Sequence, residues 1–360
     1  MGRQLDTDCE GPLSKNDNAQ ELSARFIPRG EAFFAVVSRY DDYLADVVKK
    51  PGYKAGDTLK LILPFLIAFG VTNEAIRSYS RSHVLLLPGA AETLRFLRER
   101  MPCFIISTSY EPYIQALCEV VGFPMDQVFC TRLDADRYSV KPDENAWIRD
   151  AAREITEMKL LEWPEKARGM ADLSEIHRET VRRLDRIFWK AIHRMEIGRI
   201  FDEVNPIGGR EKANAVLESL KMTGNGPADV MYVGDSITDV QALELARDQG
   251  GLAISFNGNG YAVRSSQICC LSRDARVIAL LADVFNKEGR EAVLKLASSW
   301  GKDSLRRFPI DPALEGWLDR FPEKDFPRIV TISDSNRKEL ILQSEAFRKS
   351  VRGVEIGALG

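Results

Sequence analysis

Cysteine is sparse and unpaired in sequence: the six residues Cys9, Cys103, Cys118, Cys130, Cys269 and Cys270 form neither C-x-x-C pairs nor zinc-ligand spacing. That excludes a disulfide scaffold and fits reduced thiols in a cytosol. Histidine is scarcer still, with His83, His177 and His193 dispersed along charged or helical stretches, which leaves little material for a histidine metal site or a Ser-His-Asp triad. No long apolar run is present. The longest, residues 59–71, contains Lys60 and Pro64 and falls short of the roughly 20 residues that span a bilayer, so no membrane segment is expected. Nor is there an excess of one charge: 50 basic residues stand against 53 acidic ones, a net of −3, so no nucleic-acid partner and no anionic membrane surface is expected. The opening MGRQLDTDCEGP lacks the basic-then-apolar pattern of a signal peptide, and a cytoplasmic location is expected.

What is present is globular. Apolar residues make up 44% and charged residues 29% of 360, and at roughly 150 residues per domain the chain holds about two domains, or one core with a large insertion. Residues 3–8 read as a short strand, and from Asn16 to about Ser82 apolar residues recur at three- and four-residue spacing, which predicts a helical subdomain. Helix and strand signals then alternate: AAETLRFLRERM, the apolar run Cys103–Ile106, EPYIQALCEVVGF ending at Gly122, and QVFCTRLDA. Residues 143–203 interrupt the alternation with a charge-rich, helix-forming stretch, after which REKANAVLESLKM, DVMYVG, TDVQALELARDQ and GLAISFN resume it. The signal weakens beyond about residue 285, where PRIVTIS is a further strand candidate. Such alternation with short connections predicts a doubly wound, parallel α/β sheet, with chemistry at the carboxyl ends of its strands.

Carboxylates and small polar residues fall at those ends. Asp8-Cys9-Glu10-Gly11-Pro12-Leu13 follows the first strand, Ser107-Thr108 follows CFII, and Gly234-Asp235-Ser236-Ile237-Thr238-Asp239 follows DVMYV. Carboxylates brought together this way repel one another unless a cation sits among them, and oxygen-only ligands point to a hard ion such as Mg²⁺. Lys212, in the GGREK turn opening its own helix, could neutralise the remaining charge.

These residues, in this order, resemble the haloacid dehalogenase-like (HAD) phosphohydrolases, and the arrangement is similar to their phosphoserine-phosphatase-like branch. DCEGPL resembles the family's D-x-D-G-T-L, with Glu10 in place of the second Asp and Pro12 in place of Thr. Ser107 resembles the second motif, Lys212 the third, and Gly234–Asp239 the fourth, GD-x-x-x-D. The resemblance implies a Rossmannoid core (residues 1–15, 84–142 and 204–285), an α-helical cap (16–83), an additional helical insertion (143–203) and a C-terminal extension (286–360). It also implies that Asp8 is a nucleophile forming an aspartyl-phosphate and that Glu10 is acid and then base. Ser107, Thr108 and Lys212 would bind the phosphoryl group, and the Asp8 and Asp235 side chains with the Glu10 main-chain carbonyl would hold Mg²⁺ while Asp239 orients that shell.

Several alternatives stay open. Asp6-Thr7-Asp8 offers a second register for the D-x-D pair, although only the Asp8/Glu10 register recovers the Gly and Leu in place. Asn16, Asp17, Asn18 and Arg25 could contact substrate or merely cap a helix. Phe26, Phe33, Phe34, Tyr40 and Tyr43 read as cap core in preference to a ligand cage. The implied activity is hydrolysis of a small phosphorylated metabolite, with phosphoryl transfer to an alcohol as an alternative. DCEGPLSKNDNA is also similar to a sparsely characterised, largely archaeal group of the superfamily sometimes encoded with energy-converting hydrogenase subunits. That makes a non-catalytic or regulatory accessory subunit the other alternative, with a homo-oligomer or a partner subunit as possible company.

Overall fold

The chain begins with a strand, β1 (Gln4–Thr7), that is buried along its whole length, as a strand covered on both faces of a sheet must be. The computed structural model describes residues 2–353 and residue 357. Among the described residues six further strands join β1: β2 (Cys103–Tyr110), β3 (Val128–Thr131), β4 (Val230–Gly234), β5 (Leu252–Phe256), β6 (Ile268–Leu271) and β7 (Arg328–Thr331). Their order is β3-β2-β1-β4-β5-β6-β7. Every pairing is parallel except β6 with β7. The PRIVTIS segment is therefore a strand, but it closes the sheet edge in the antiparallel sense. The order reverses direction at β1, which places the crevice for ligands beyond the carboxyl ends of β1, β2 and β4.

Helices cover both faces. On one, α5 (Ala90–Arg98), α6 (Glu111–Val121) and α13 (Arg276–Glu288) meet Leu5, Ile105, Val233 and Ile254 in a single apolar cluster. On the other, α10 (Arg210–Thr223) and α11 (Val240–Asp248) pack on Ile106, Tyr232 and Ala253. Alternate residues along each strand thus serve opposite layers, as the period of two requires. A short helix, α12 (Gly260–Ser265), follows β5. The extension beyond residue 285 completes the first of these layers: α14 (Arg290–Ser298), α15 (Lys302–Leu305) and α16 (Pro312–Leu318) add Leu296, Leu305, Leu314 and Leu318 to it.

The remaining helices form a separate layer above the strand ends. Residues 16–83 contribute α1 (Asn18–Phe26), α2 (Gly30–Asp42), α3 (Thr58–Ala68) and α4 (Asn73–His83), and residues 143–203 contribute most of α7 (Pro142–Thr156) together with α8 (Glu175–Asp185) and α9 (Ile200–Glu203). These two segments share one core, in which Phe33, Phe65 and Tyr40 of the first lie with Ile148, Leu184 and Phe188 of the second. The Phe33 and Phe65 rings meet edge to face and Tyr40 stacks on Phe188, the offset arrangements that aromatic quadrupoles favour. Phe33, Tyr40 and Tyr43 are fully buried core, as expected. Among the described residues no single helix is long and apolar enough to cross a membrane.

The last long helix, α17 (Arg337–Arg352), runs back over the sheet beside α12. Ser344 Oγ donates to the Gly258 carbonyl at 2.6 Å and the Gly260 N–H donates to Glu345 Oε1 at 3.1 Å, so the middle of this helix is pinned to the turn after β5. Its C-terminal end reaches the crevice.

Candidate active site

The first and fourth predicted motifs lie at the carboxyl ends of β1 and β4, whereas Ser107 sits inside β2 and Lys212 at the start of α10. Asp8 directly follows β1, and its N–H donates to the Val233 carbonyl of β4 at 2.8 Å, which fixes it between the two strands. One carboxylate oxygen, Oδ1, accepts the Cys9 N–H at 2.7 Å and the other, Oδ2, lies 2.8 Å from Lys212 Nζ. Lys212, at the start of α10, is wholly buried and also donates to Asp239 Oδ1 at 2.7 Å. Burial disfavours its charge, but the Asp239 and Asp8 carboxylates outweigh that and raise its pKa, so Lys212 is a permanent cation.

Asp239 is the most heavily supported acid. Oδ1 also accepts from Tyr232 Oη at 2.8 Å, and Oδ2 accepts the N–H groups of Asp235 and Ser236 at 3.0 and 3.1 Å. Burial pushes its carboxyl up, and Lys212, Tyr232 and the backbone donors together bring it below the usual range. With both oxygens engaged inside the protein, Asp239 shapes the β4 turn and orients its neighbours. Gly234 serves the same turn, since a Cβ there would lie 2.5 Å from Asp239 Cγ.

Carboxylate oxygens of Asp8, Asp235 and Asp239 lie within 4.8 Å of one another, a spacing and donor chemistry that fit a hard divalent cation such as Mg²⁺. Gly11 leaves room beside them: its φ is +105°, and a Cβ there would sit 2.1 Å from Asp235 Oδ2. Glu10 does not join this group through its side chain. Its Oε1 accepts the Asn18 N–H at 2.8 Å, at the start of α1. Burial, reinforced by the nearby Asp17 carboxylate, raises the Glu10 pKa well above its ordinary value.

A cavity of about 110 Å³ opens onto Asp8, Glu10, Asp235 and Thr108 below, and onto Phe34 and Asp41 of the helical layer above. Phe34, expected only as cap core, thus also faces the cavity. The β2 strand runs beyond the predicted Cys103–Ile106 to Tyr110, and this extension separates the two candidate hydroxyls. Ser107 Oγ is buried and accepts the Ser109 N–H at 3.1 Å, and Ser107 does not line the cavity. Thr108 does line it, and its buried hydroxyl has no partner among the described residues. Asp6 faces away from this cavity, where it accepts from Gln4 Nε2 at 2.9 Å and Ser219 Oγ at 2.5 Å, and burial raises its pKa to about 7. The polar residues after the first motif are built into the frame. Asp17 Oδ1 caps α1 by accepting the Gln20 N–H at 3.0 Å, and Asn16 ties the segment entering the helical layer to the segment leaving it through the His83 carbonyl and the Leu85 N–H.

Two residues that sequence reasoning missed complete the site. Arg348 and Arg352, one turn apart at the end of α17, both donate to Asp235 Oδ2, Arg352 at 3.1 Å, and their side chains are 4% and 5% exposed. Arg352 also donates to the carbonyls of Lys15 (3.2 Å) and Asn16. The available signal was an i, i+4 series, Leu340, Ser344, Arg348 and Arg352, that aligns two arginines with a buried helix stripe.

The fold and site together define a class: a doubly wound α/β protein, capped by helices, whose strand ends present three clustered carboxylates and a buried lysine. Comparison with known proteins places it beside one solved structure along the full chain, gene product AF1437 from Archaeoglobus fulgidus, at 29% identity and a TM-score of 0.78, covering 100% of this chain and 99% of that one. A phospho-aspartyl intermediate analogue of phosphoserine phosphatase matches more loosely, at 16% identity and a TM-score of 0.45 over 77% of this chain and 97% of that one. The HAD family hydrolase t0658 from Salmonella enterica serovar Typhi matches at 10% and 0.41, over 70% of this chain and 61% of that one. Overlaps this loose carry no assignment. No family model and no curated protein matches the chain.

Proposed function

We propose that the chain is a Mg²⁺-dependent phosphomonoester hydrolase that acts on a small phosphorylated metabolite through an aspartyl-phosphate. The observation that carries this reading is the setting of Asp8: a buried carboxylate at the end of β1, paired with Lys212, grouped with Asp235 and Asp239, and facing a small cavity. A Mg²⁺ ion held by Asp8 and Asp235 would neutralise charge on the nucleophile and the phosphoryl oxygens.

The chain's own residues supply the rest. An Asp8 oxygen attacks phosphorus as the ester P–O bond breaks, and the Glu10 carboxyl gives its proton to the leaving oxygen. Burial raises the Glu10 pKa and so favours the protonated form that this step uses. Water then attacks phosphorus, Glu10 takes the water's proton, and the bond to Asp8 breaks to release phosphate. Lys212 and the free hydroxyl of Thr108 bind the phosphoryl oxygens, and the helical layer excludes bulk water and restricts substrate size.

A second reading, a binding-only or regulatory protein, draws on the two guanidinium groups at Asp235. Phosphate release from a panel of small phosphomonoesters, with and without Mg²⁺, separates the two. The hydrolase requires Mg²⁺-dependent release that disappears in Asp8→Asn and persists in Asp6→Asn. A folded protein that releases no phosphate from any ester at any Mg²⁺ concentration sinks it in favour of the second reading.

A further inference from the structure

Asp235 is the carboxylate that a divalent ion and the C-terminal helix would have to share. Its Oδ2 accepts from Arg348 and from Arg352, and both guanidinium groups are removed from solvent. An ion ligated by this oxygen at the roughly 2.0–2.1 Å typical of Mg²⁺ would take up lone-pair directions that the two guanidiniums now fill, and would face them as like charges. The charge balance is matched in both states. The carboxyl groups of Asp8, Glu10, Asp17, Asp235 and Asp239 converge here, with those of Asp41 and Asp42 on the roof of the same cavity, and Lys212 supplies one positive charge. The two arginines supply two more, the charge of one divalent cation.

The seat of these arginines is not otherwise saturated. Among the described residues Arg348 Nε has no hydrogen-bond partner, and the residue is only 3% exposed and borders the cavity. Further back α17 is held independently of the arginines, where Leu340 is buried and Ser344 bonds to Gly258. The last turn can therefore leave the site while the rest of the helix stays docked.

We infer that Arg348 and Arg352 are the resident counter-cations of this site, and that a divalent ion reaches Asp235 only by displacing them. Docking of the last turn of α17 and ion binding are then mutually exclusive. The inference rests on the metal site of the proposed hydrolase and adds that the chain itself controls access to it. Linkage makes the effect reciprocal: the factor by which the docked turn weakens ion binding is the factor by which the ion weakens docking.

The test measures both sides on the full chain, with Mn²⁺ as the probe ion and electron paramagnetic resonance to count free Mn²⁺. Arg348→Gln combined with Arg352→Gln should bind Mn²⁺ at least tenfold more tightly than the wild type, whereas Asp235→Asn should lose the site. In the wild type, saturating Mg²⁺ should speed amide hydrogen exchange in residues 348–353 at least tenfold and leave residues 340–344 unchanged. This second measurement needs no substitution and stands if the double variant fails to fold. Unchanged or weaker Mn²⁺ binding by the folded double variant overturns the inference, as does exchange in residues 348–353 that ignores Mg²⁺. Failure of the hydrolase reading looks different. Ion competition without hydrolysis of any phosphomonoester keeps the inference and removes the enzyme, while Mg²⁺-dependent hydrolysis with no competition does the reverse.

Discussion

Replacing Lys212 by methionine removes one charge from the centre of the site and keeps most of the side-chain volume. Lys212 is the shared partner of Asp8 at 2.8 Å and Asp239 at 2.7 Å, and none of its surface is exposed. Deleting one partner of a buried ion pair costs about 3–5 kcal/mol, because the charge left behind has neither water nor counter-ion. Asp239 keeps Tyr232 and two backbone N–H groups, whereas the Asp8 carboxylate keeps, among the described residues, only the Cys9 N–H, so the loss falls chiefly on Asp8. The expected deficit is therefore about 3–5 kcal/mol, a large share of the roughly 5–15 kcal/mol that holds a folded chain.

Urea unfolding followed by tryptophan fluorescence at several pH values measures this deficit. In the wild type the Asp239 pKa is depressed, so its contribution is present above the unfolded-state value and is lost as pH falls through the folded-state one. Without Lys212 the buried carboxyls of Asp8 and Asp239 take up protons more readily than in the unfolded chain. Protonation removes the uncompensated charge, so the gap between variant and wild type should narrow as pH drops from 7.5 to 5. Adding Asp239→Asn to the variant should recover part of the loss. A Lys212→Met protein within about 1 kcal/mol of the wild type at pH 7.5 would refute the reasoning, since that is far below the cost of an unpaired buried charge. So would a deficit that does not change with pH.

Three further outcomes follow from single contacts. Asp6→Asn should gain stability relative to the wild type as pH rises from 4 to 8, by up to about 4 kcal/mol. The sign comes from a folded-state pKa of about 7 against an ordinary value of 3.8: the unfolded chain gives up the Asp6 proton first, and wild-type stability falls across that window. A pH-independent difference in parallel urea titrations would contradict it. Gly11→Ala should lower the melting temperature and weaken Mn²⁺ binding, because its Cβ meets Asp235 Oδ2 at 2.1 Å and φ is +105°; an unchanged Mn²⁺ affinity would count against the close approach. Thr108→Val should reduce kcat/KM for phosphomonoesters by about 10- to 100-fold, the worth of one hydrogen bond to a charged group of about 1.5–3 kcal/mol, with stability unchanged or improved. Equal kcat/KM in the two proteins would remove Thr108 from phosphoryl binding.

The parts of the site that were legible in the sequence are those set by local pattern. An apolar strand followed by a small polar turn marks Gly234–Asp239, the Asp8-Cys9-Glu10-Gly11-Pro12-Leu13 string after a short strand marks Asp8, and the sheet topology then brings those strand ends together. The distinction between Ser107 and Thr108 was not legible, because it depends on β2 continuing to Tyr110, and a Ser-Thr-Ser run gives no period-two signal to follow. Arg348 and Arg352 were hidden for a different reason. Arginines at the end of a charged helix read as a solvated face, and only the docking of α17 at Gly258 and Gly260 turns that face inward. The shared core of residues 16–83 and 143–203 was equally out of reach, since each segment alone has an amphipathic pattern that says nothing about its partner.

That shared core changes how the roof over the cavity can open. A lid built from one excursion of the chain hangs on two connections and can swing like a door. Here the chain passes between sheet and roof four times: on the way to α1, from α4 back towards α5, from β3 towards α7, and from α9 to α10. Aromatic packing locks the two excursions together, so all four connections must yield at once. The roof is better suited to tilting as one slab than to hinging. Passage of substrate and product should then be slow compared with chemistry, and the turnover rate should respond to solvent viscosity.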